Sequence, residues 1–412
     1  MFRCMVSFLV VSGMLGESRV AAPADSQPTA PAPVLIVPHL ASFLEVAVPL
    51  PADFQSQQTS QVQLVEIDGA GEVVAAQIGP AGMLMAVIPG QKSGHRGGIR
   101  RFELQGVKPP VDPAFSFQDV SEQSLELNQS GKPVLVYNHG AITNEAVPAN
   151  DARRSRACYV HPVWGLGGEV LTGDFPRDHY HHHGMMWTWP HVQIGDQEYD
   201  LWADRGIRQQ FVRWLDRQSG PVAAVLGVEN GWYVGDEKVM AERVWLRVYK
   251  ATDESRSLDV ELVFIPVDRP ITLWGAPGKS YGGLTVRFAP PSRADENTLI
   301  TVPDGPTSED LKEARLAWAD FTSQFGDNPT RSGAAVFVHP EHPDYPPTWL
   351  TRHYGPLCVG WPGVVSKTFP PGEPIRLSYR IWIHKSPVTT EQLQAAYDAY
   401  AASTQVRWAS GP

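Results

Sequence analysis

The chain has 412 residues, with 34 basic residues against 44 acidic ones and a net charge of −10. That balance excludes the basic face a nucleic-acid-binding protein needs. Only 19% of residues are charged while Gly and Pro number 36 and 37, a mix that favours strands and turns over long helices.

The first element is a leader. Arg3 precedes an apolar run, CMVSFLVVSGML at 4–15, with small residues after it. This reads as a secretory signal peptide over residues 1–22, so the chain is expected to be exported, to a periplasm or outside the cell. A short buried helix is the alternative. The run is too short to span a bilayer, and no later segment is apolar enough to do so. Residues 23–33 form a Pro/Ala-rich linker. Residues 34–110 read as a small N-terminal β-unit, with a hairpin around Asp68-Gly69 and a further strand near 83–89.

A larger unit, residues 114–402, follows. Segments such as KVMAERVWLRVYK, SLDVELVFIPV and IRLSYRIWIHK alternate apolar and polar residues, the pattern of strands with one buried face. No repeated strand–helix alternation occurs, which argues against a parallel doubly wound sheet. The fold class is therefore all-β, a large antiparallel β-sandwich. One helix closes it: Thr389 and Gln392 form a capping box, and Leu393, Ala396, Tyr397 and Tyr400 recur at helical spacing. Once the leader is removed, Cys158 and Cys358 remain, able to pair in an oxidising compartment or to stay as two buried thiols.

The densest chemistry lies in FPRDHYHHHGMMWTWP at 175–190. If 178–184 is extended, His179, His181 and His183 share one face and Asp178, Tyr180 and His182 the other. Such a cluster serves acid–base chemistry, since imidazole titrates near neutral pH. It also offers an H-x-H start for a metal site, or a polar layer beside a core strand. Acid–base chemistry is favoured: no third ligand stands at a defensible spacing, so no cofactor is predicted, and a divalent metal is the alternative. In KVMAERVWLRV, Glu242 shares the apolar face of Met240, Val244, Leu246 and Val248, so it needs a partner or a function. Arg287 or a histidine is the expected partner, and His179 or His181, Glu242 and Arg287 are expected to border one pocket. Trp187, Trp349 and Trp361 lie nearest polar, loop-like segments and are candidates to cover a sugar ring. The segment HPEHPDYPPTWLTRHYG, 339–355, carries His339, His342, Arg352 and His353 in a Pro-rich setting. P-loop, Rossmann, nucleophile-elbow and zinc signatures do not occur.

The runs GDFPRDHYHHHGMMWTW, GGLTVRF, AWADFT, VFVHPEHPDYPPTWLTRHYG and PIRLSYRIWIH, in this order, resemble the bacterial PmoA-like family, labelled methane oxygenase PmoA. The resemblance covers roughly 124–400. It implies a galactose-mutarotase-like supersandwich and a carbohydrate role, not a membrane-bound methane oxygenase. It maps a D-H-x-H-H-R-G-type motif onto Asp178, His179, His181, His182 and Gly184. His183 stands where arginine is usual and His342 where asparagine is usual. Arg287, Trp318, Asp320, His339, Pro340, Trp349, Tyr354 and Gly355 fit the pattern. Together these readings predict an exported protein acting on a small-molecule carbohydrate, as an epimerase, mutarotase or lyase. His181, His182 and Glu242 would be catalytic; Asp178, His179, Trp187, Arg287, His339, Trp349, Arg352 and Tyr354 would bind substrate. A metal-dependent hydrolase or oxygenase and a non-catalytic sugar-binding protein are the alternatives.

Overall fold

The computed structural model describes residues 32–54, 61–69, 71–91, 98–107, 111–290 and 298–409. The expected leader at 1–22 and linker residues 23–31 lie outside them. The described chain is built from antiparallel sheets, with one α-helix at Thr390–Ala402.

Two nine-stranded sheets form the sandwich. One, here the site sheet, runs in the order Lys312–Arg315, Thr348–Thr351, Pro356–Gly360, Gly283–Arg287, Met185–Thr188, Tyr159–Val163, Lys132–Asn138, Ser124–Gln129, Phe115–Ser121. The other, the long sheet, carries Arg208–Ser219, Ala223–Val234, Glu237–Tyr249, Ser255–Pro266 and Ile375–His384 at one side, then Ser332–Val338 and Trp318–Ser323. Because side chains alternate along a strand, each sheet offers one face to a shared core. Leu135, Val160, Trp187, Leu284, Val286 and Leu357 from the site sheet meet Val228, Met240, Val244, Leu262 and Leu377 from the long sheet. A four-stranded sheet, including His191–Ile194 and Ile271–Trp274, adds Val192, Ile194, Ile271 and Leu273 to this core.

Strands between Val34 and Gly106 form a seven-stranded sheet with its own core, including Leu35, Val46, Leu64 and Phe102. The hairpin around Asp68-Gly69 is present, with Gln63 opposite Ala75. The seventh strand comes from the opposite chain end: Arg407–Trp408 pairs with Leu35 and Ile36. This sheet docks on the outer face of the long sheet. Met85 packs with Ala223, Val225 and Tyr249, Gln77 Oε1 accepts from Val222 and Ala223 N–H at 2.8 and 2.9 Å, and Arg380 donates to Glu45.

The helix begins with the expected capping box of Thr389 and Gln392. Its buried residues Leu393, Ala396, Tyr397 and Tyr400 pack on Trp318, Ala335 and Phe337. Cys158 and Cys358 are both buried and unpaired.

Candidate functional site on the outer face of the site sheet

The alternation within the site sheet decides which residues can meet. Met186, Thr285 and Cys358 are neighbours across three strands, as are Met185, Val286 and Leu357. The second set points into the sandwich core. The first points outward, where Met186 and Cys358 pack with Tyr159, Trp202 and Leu350. Arg287 has the parity of Thr285, so its side chain also leaves the core. Glu242 points inward from the long sheet. Glu242 and Arg287 therefore lie on opposite sides of the site sheet and do not border one pocket, contrary to the sequence expectation.

Glu242 is fully buried among neutral donors. Trp187 Nε1 and Asn230 Nδ2 donate to Oε1 at 2.7 and 2.8 Å. Gln209 Nε2 and Trp232 Nε1 donate to Oε2, both at 2.6 Å. Burial raises its pKa, and the four donors oppose that rise. Arg156 donates to the other end of Gln209 at 2.6 Å, which links the carboxylate to a buried cation through an amide. The partner that this inward carboxylate required is thus a set of four side chains, none of them a histidine or arginine.

The histidine run is not extended. Residues 176–182 form successive turns, with His179 N–H on Pro176 O at 2.9 Å and His182 N–H on His179 O at 2.9 Å. The loop is clamped at its base by Phe175 N–H on His182 O at 3.1 Å and Gly184 N–H on Gly173 O at 2.9 Å. Gly184 is required there: its φ is +29°, and a Cβ would stand 2.1 Å from Val160 O. The turns undo the expected sharing of faces. The rings of His179 and His182 stack at 4.6 Å, and His181 meets both edge-on at 5.6 and 4.7 Å. Trp202 closes the cluster, 6.2 Å from His181 and 5.8 Å from His182. His183 turns away. Its Nδ1 donates to Asp174 at 2.7 Å, and Tyr159 Oη donates to the same carboxylate at 2.8 Å.

Burial disfavours the charged forms of His181 and His182. The pKa of His181 is pushed down to about 3, first by desolvation and then by His179 and Arg153. That of His182 falls well below the ordinary value, by desolvation and then by His181 and Arg287. The Nδ1 atoms of both are buried without a hydrogen-bond partner.

Arg287 lies beneath this loop, 3% exposed. Its Nε and Nη1 have no partner, and its Nη2 is 3.8 Å from Asp178 Oδ1. Desolvation lowers the guanidinium pKa, against the pull of Asp178. Leaving buried charged donors unmet costs on the order of 1–3 kcal/mol per group or more. Asp178 is engaged elsewhere, accepting from His179 Nδ1 at 2.8 Å. Burial opposes its ionisation, but that hydrogen bond and the charge of Arg287 hold its carboxyl below the ordinary range. Tyr354, 40% exposed, stacks on His179 at 5.4 Å, with the Arg287 guanidinium 5.0 Å from its ring centroid. Asp178, His179, His181, His182, Arg287 and Tyr354 are thus brought together.

The other sequence candidates lie elsewhere. Trp187 and Trp349 are not loop aromatics: both are strand residues, 0% exposed, in the sandwich core. Trp187 donates to Glu242, and Trp349 Nε1 to Leu316 O at 2.9 Å. Trp361 is likewise buried. Arg352 shares the turn of Tyr354 but lies 3.6 Å from Asp310, which also binds His353. His339 belongs to the far side of the sandwich. It lines a cavity of about 250 Å³ with Glu45, Arg380 and Tyr400. His342 is buried, its Nε2 3.1 Å from Tyr379 Oη. The sequence reading missed Trp202, which lies in a separate segment from the histidines. Among the described residues, no group of three or more His, Cys, Asp or Glu side chains is placed to hold a metal ion.

Residues 124–398 match the model of a family described as being of unknown function, DUF6807. The chain belongs to the DUF6807 family. All six clustered residues fall inside the matched region, whereas the strands from Val34 to Gly106 precede it. A solved structure from Lactobacillus acidophilus, described as a galactose mutarotase related enzyme, is similar over 67% of this chain and 99% of that one, at 9% identity and a TM-score of 0.28. A likeness of that size says nothing about a substrate. No curated protein matches the chain.

Proposed function

We propose that the protein binds a sugar or sugar derivative on the outer face of the site sheet and moves protons on it, as an epimerase, mutarotase or lyase does. One observation carries this reading: two imidazoles, the half-buried His181 and the buried His182, keep unclaimed Nδ1 atoms beside a buried guanidinium and an accessible aromatic ring. A neutral imidazole has one ring nitrogen able to accept a proton and one N–H able to donate, and a bound ligand that brings negative charge beside it would raise the lowered pKa toward the working range of a base. Tyr354 offers an exposed aromatic face to a ring's C–H surface. Asp178 and Arg287 supply an acceptor and donors for hydroxyl or carbonyl oxygens. An apolar substrate such as methane would leave these polar groups unpaired, at roughly 1–3 kcal/mol each. Glu242 has no place in the reaction on this reading; it supports the sheet from within. The expected export of the chain is part of the same proposal and rests on residues 1–22.

The test is proton exchange. Aldoses, keto-sugars and sugar acids are incubated with the purified full chain in D₂O, and C–H exchange, anomer interconversion and elimination are followed by NMR. Turnover by the wild type, reduced at least 100-fold in His181→Asn or His182→Asn, is the expected result. Turnover that survives both substitutions, or none on any of these compounds, overturns the assignment.

A further inference from the structure

We propose that Arg287 is the anchor for a carboxylate on the ligand, so that the protein takes sugar acids in preference to neutral sugars. The inference rests on reading the outer-face cluster as a sugar site, and narrows it.

The molecule supplies its own controls. Five arginines among the described residues are buried: Arg100, Arg156, Arg256, Arg287 and Arg380. Arg100 donates to Glu66, Glu72 and Pro89 O. Arg156 donates to Asp204, Leu201 O and Gln209. Arg380 donates to Asp259 and Glu45, and Arg256 to Gln129 at 3.3 Å. Arg287 alone among these five has no acceptor on its guanidinium. A buried cation without an acceptor is unfavourable in the free protein, and a ligand that supplies one relieves that cost.

The surroundings define the acceptor. Gly355, at φ +139°, packs its backbone beside the guanidinium; a Cβ there would stand 2.7 Å from Phe288 O and 3.2 Å from Cζ and from Nε, so this close approach requires glycine. Beside Nη2 stands Asp178, whose side chain is 53% exposed and whose carboxylate lies at 3.8 Å, beyond hydrogen-bond reach. His181 and His182 bring no charge of their own while burial keeps them neutral. The site therefore offers one positive charge in a planar group with donors in its plane. This matches a singly charged planar carboxylate, which accepts parallel hydrogen bonds from guanidinium, better than a doubly charged phosphate. Asp178 competes weakly for the same cation.

Calorimetric titration of the full chain tests this with D-glucuronate and D-galacturonate, their parent hexoses, glucose 6-phosphate, and propionate as a carboxylate without a sugar. We expect the uronates to bind at least tenfold tighter than the hexoses, and Arg287→Gln to erase that preference by weakening uronate binding far more than hexose binding. Asp178→Asn, a surface change that does not risk the fold, should raise the ratio of uronate to hexose affinity about threefold by removing the competitor. Equal affinity for uronate and hexose, a preference that survives Arg287→Gln, tighter binding of glucose 6-phosphate, or a lower ratio of uronate to hexose affinity in Asp178→Asn each overturns the carboxylate anchor while the sugar site stands. Propionate binding that depends on Arg287, with no gain from a sugar ring, keeps the anchor and removes the sugar reading. Failure of every probe to bind removes both.

Discussion

Two buried charges on opposite sides of one sheet are treated in opposite ways. Glu242, in the core, receives four hydrogen bonds and is linked through Gln209 to a buried arginine. Arg287, on the outer face, donates none from Nε or Nη1. Burial is nearly the same, 0% and 3% exposed. The difference is satisfaction: a fully partnered charge is part of the scaffold, whereas an unpartnered one is held for something that arrives. Perturbed pKa values alone do not separate the two, since burial shifts both groups.

The largest effect that sharpens this contrast belongs to the core. Trp187→Ala removes a fully buried ring and one donor to Glu242, and should cost about 3–5 kcal/mol in denaturant unfolding. A near-neutral result, with ligand binding lost instead, would return Trp187 to the binding site. Glu242→Gln comes next. An amide cannot accept from all four donors, so a loss of about 2–4 kcal/mol is expected, with little change in ligand affinity for the protein that remains folded. Unchanged stability with abolished binding would break the comparison.

The third effect is in pH. The His181 pKa is lowered to about 3 in the folded chain from an unfolded value of 6.5. Its contribution is fully present above pH 6.5 and is lost as pH falls from there toward 3, because only the unfolded chain takes up the proton. Between pH 7 and pH 5 the wild type should lose about 1–2 kcal/mol more than His181→Asn does. Equal pH slopes for the two proteins, read from urea midpoints, would place His181 in a solvated setting. Smaller still is Arg287→Met, expected within about 1 kcal/mol of the wild type or more stable, since it removes an unpaired buried charge. A loss of about 3 kcal/mol or more would show that Arg287 is structural after all. The least effect on stability is that of Tyr354→Ala, under about 0.5 kcal/mol for an exposed ring, with an expected tenfold loss of sugar affinity.

Much of the architecture was legible in the sequence because it is local. Period-two alternation gave the strand Glu237–Tyr249 and put Glu242 on its buried face. The capping box of Thr389 and Gln392 set the start of the helix. The dense histidines marked a loop around which Asp178, His179, His181, His182, Arg287 and Tyr354 assemble. What failed was what depends on distant partners. An extended reading of 178–184 followed from spacing alone, but turns closed by Phe175, Gly173 and Gly184 fold the loop back on itself. Trp187 and Trp349 sit beside polar sequence, yet strand pairing turns both into the core. The seventh strand of the N-terminal sheet comes from Arg407–Trp408, a pairing across nearly the whole chain that no local pattern encodes.

Composition and periodicity thus determined an all-β chain, its buried faces and its C-terminal helix, because those follow from backbone geometry and the burial of apolar side chains over a few residues. Only the tertiary structure decided which side of the site sheet each charge occupies. Side-chain parity is fixed relative to a strand's neighbours and not by the strand's own sequence, since a shift of one residue in register exchanges the two faces. That parity separates Glu242, enclosed by four donors, from Arg287, left beneath the histidines with its donors unclaimed.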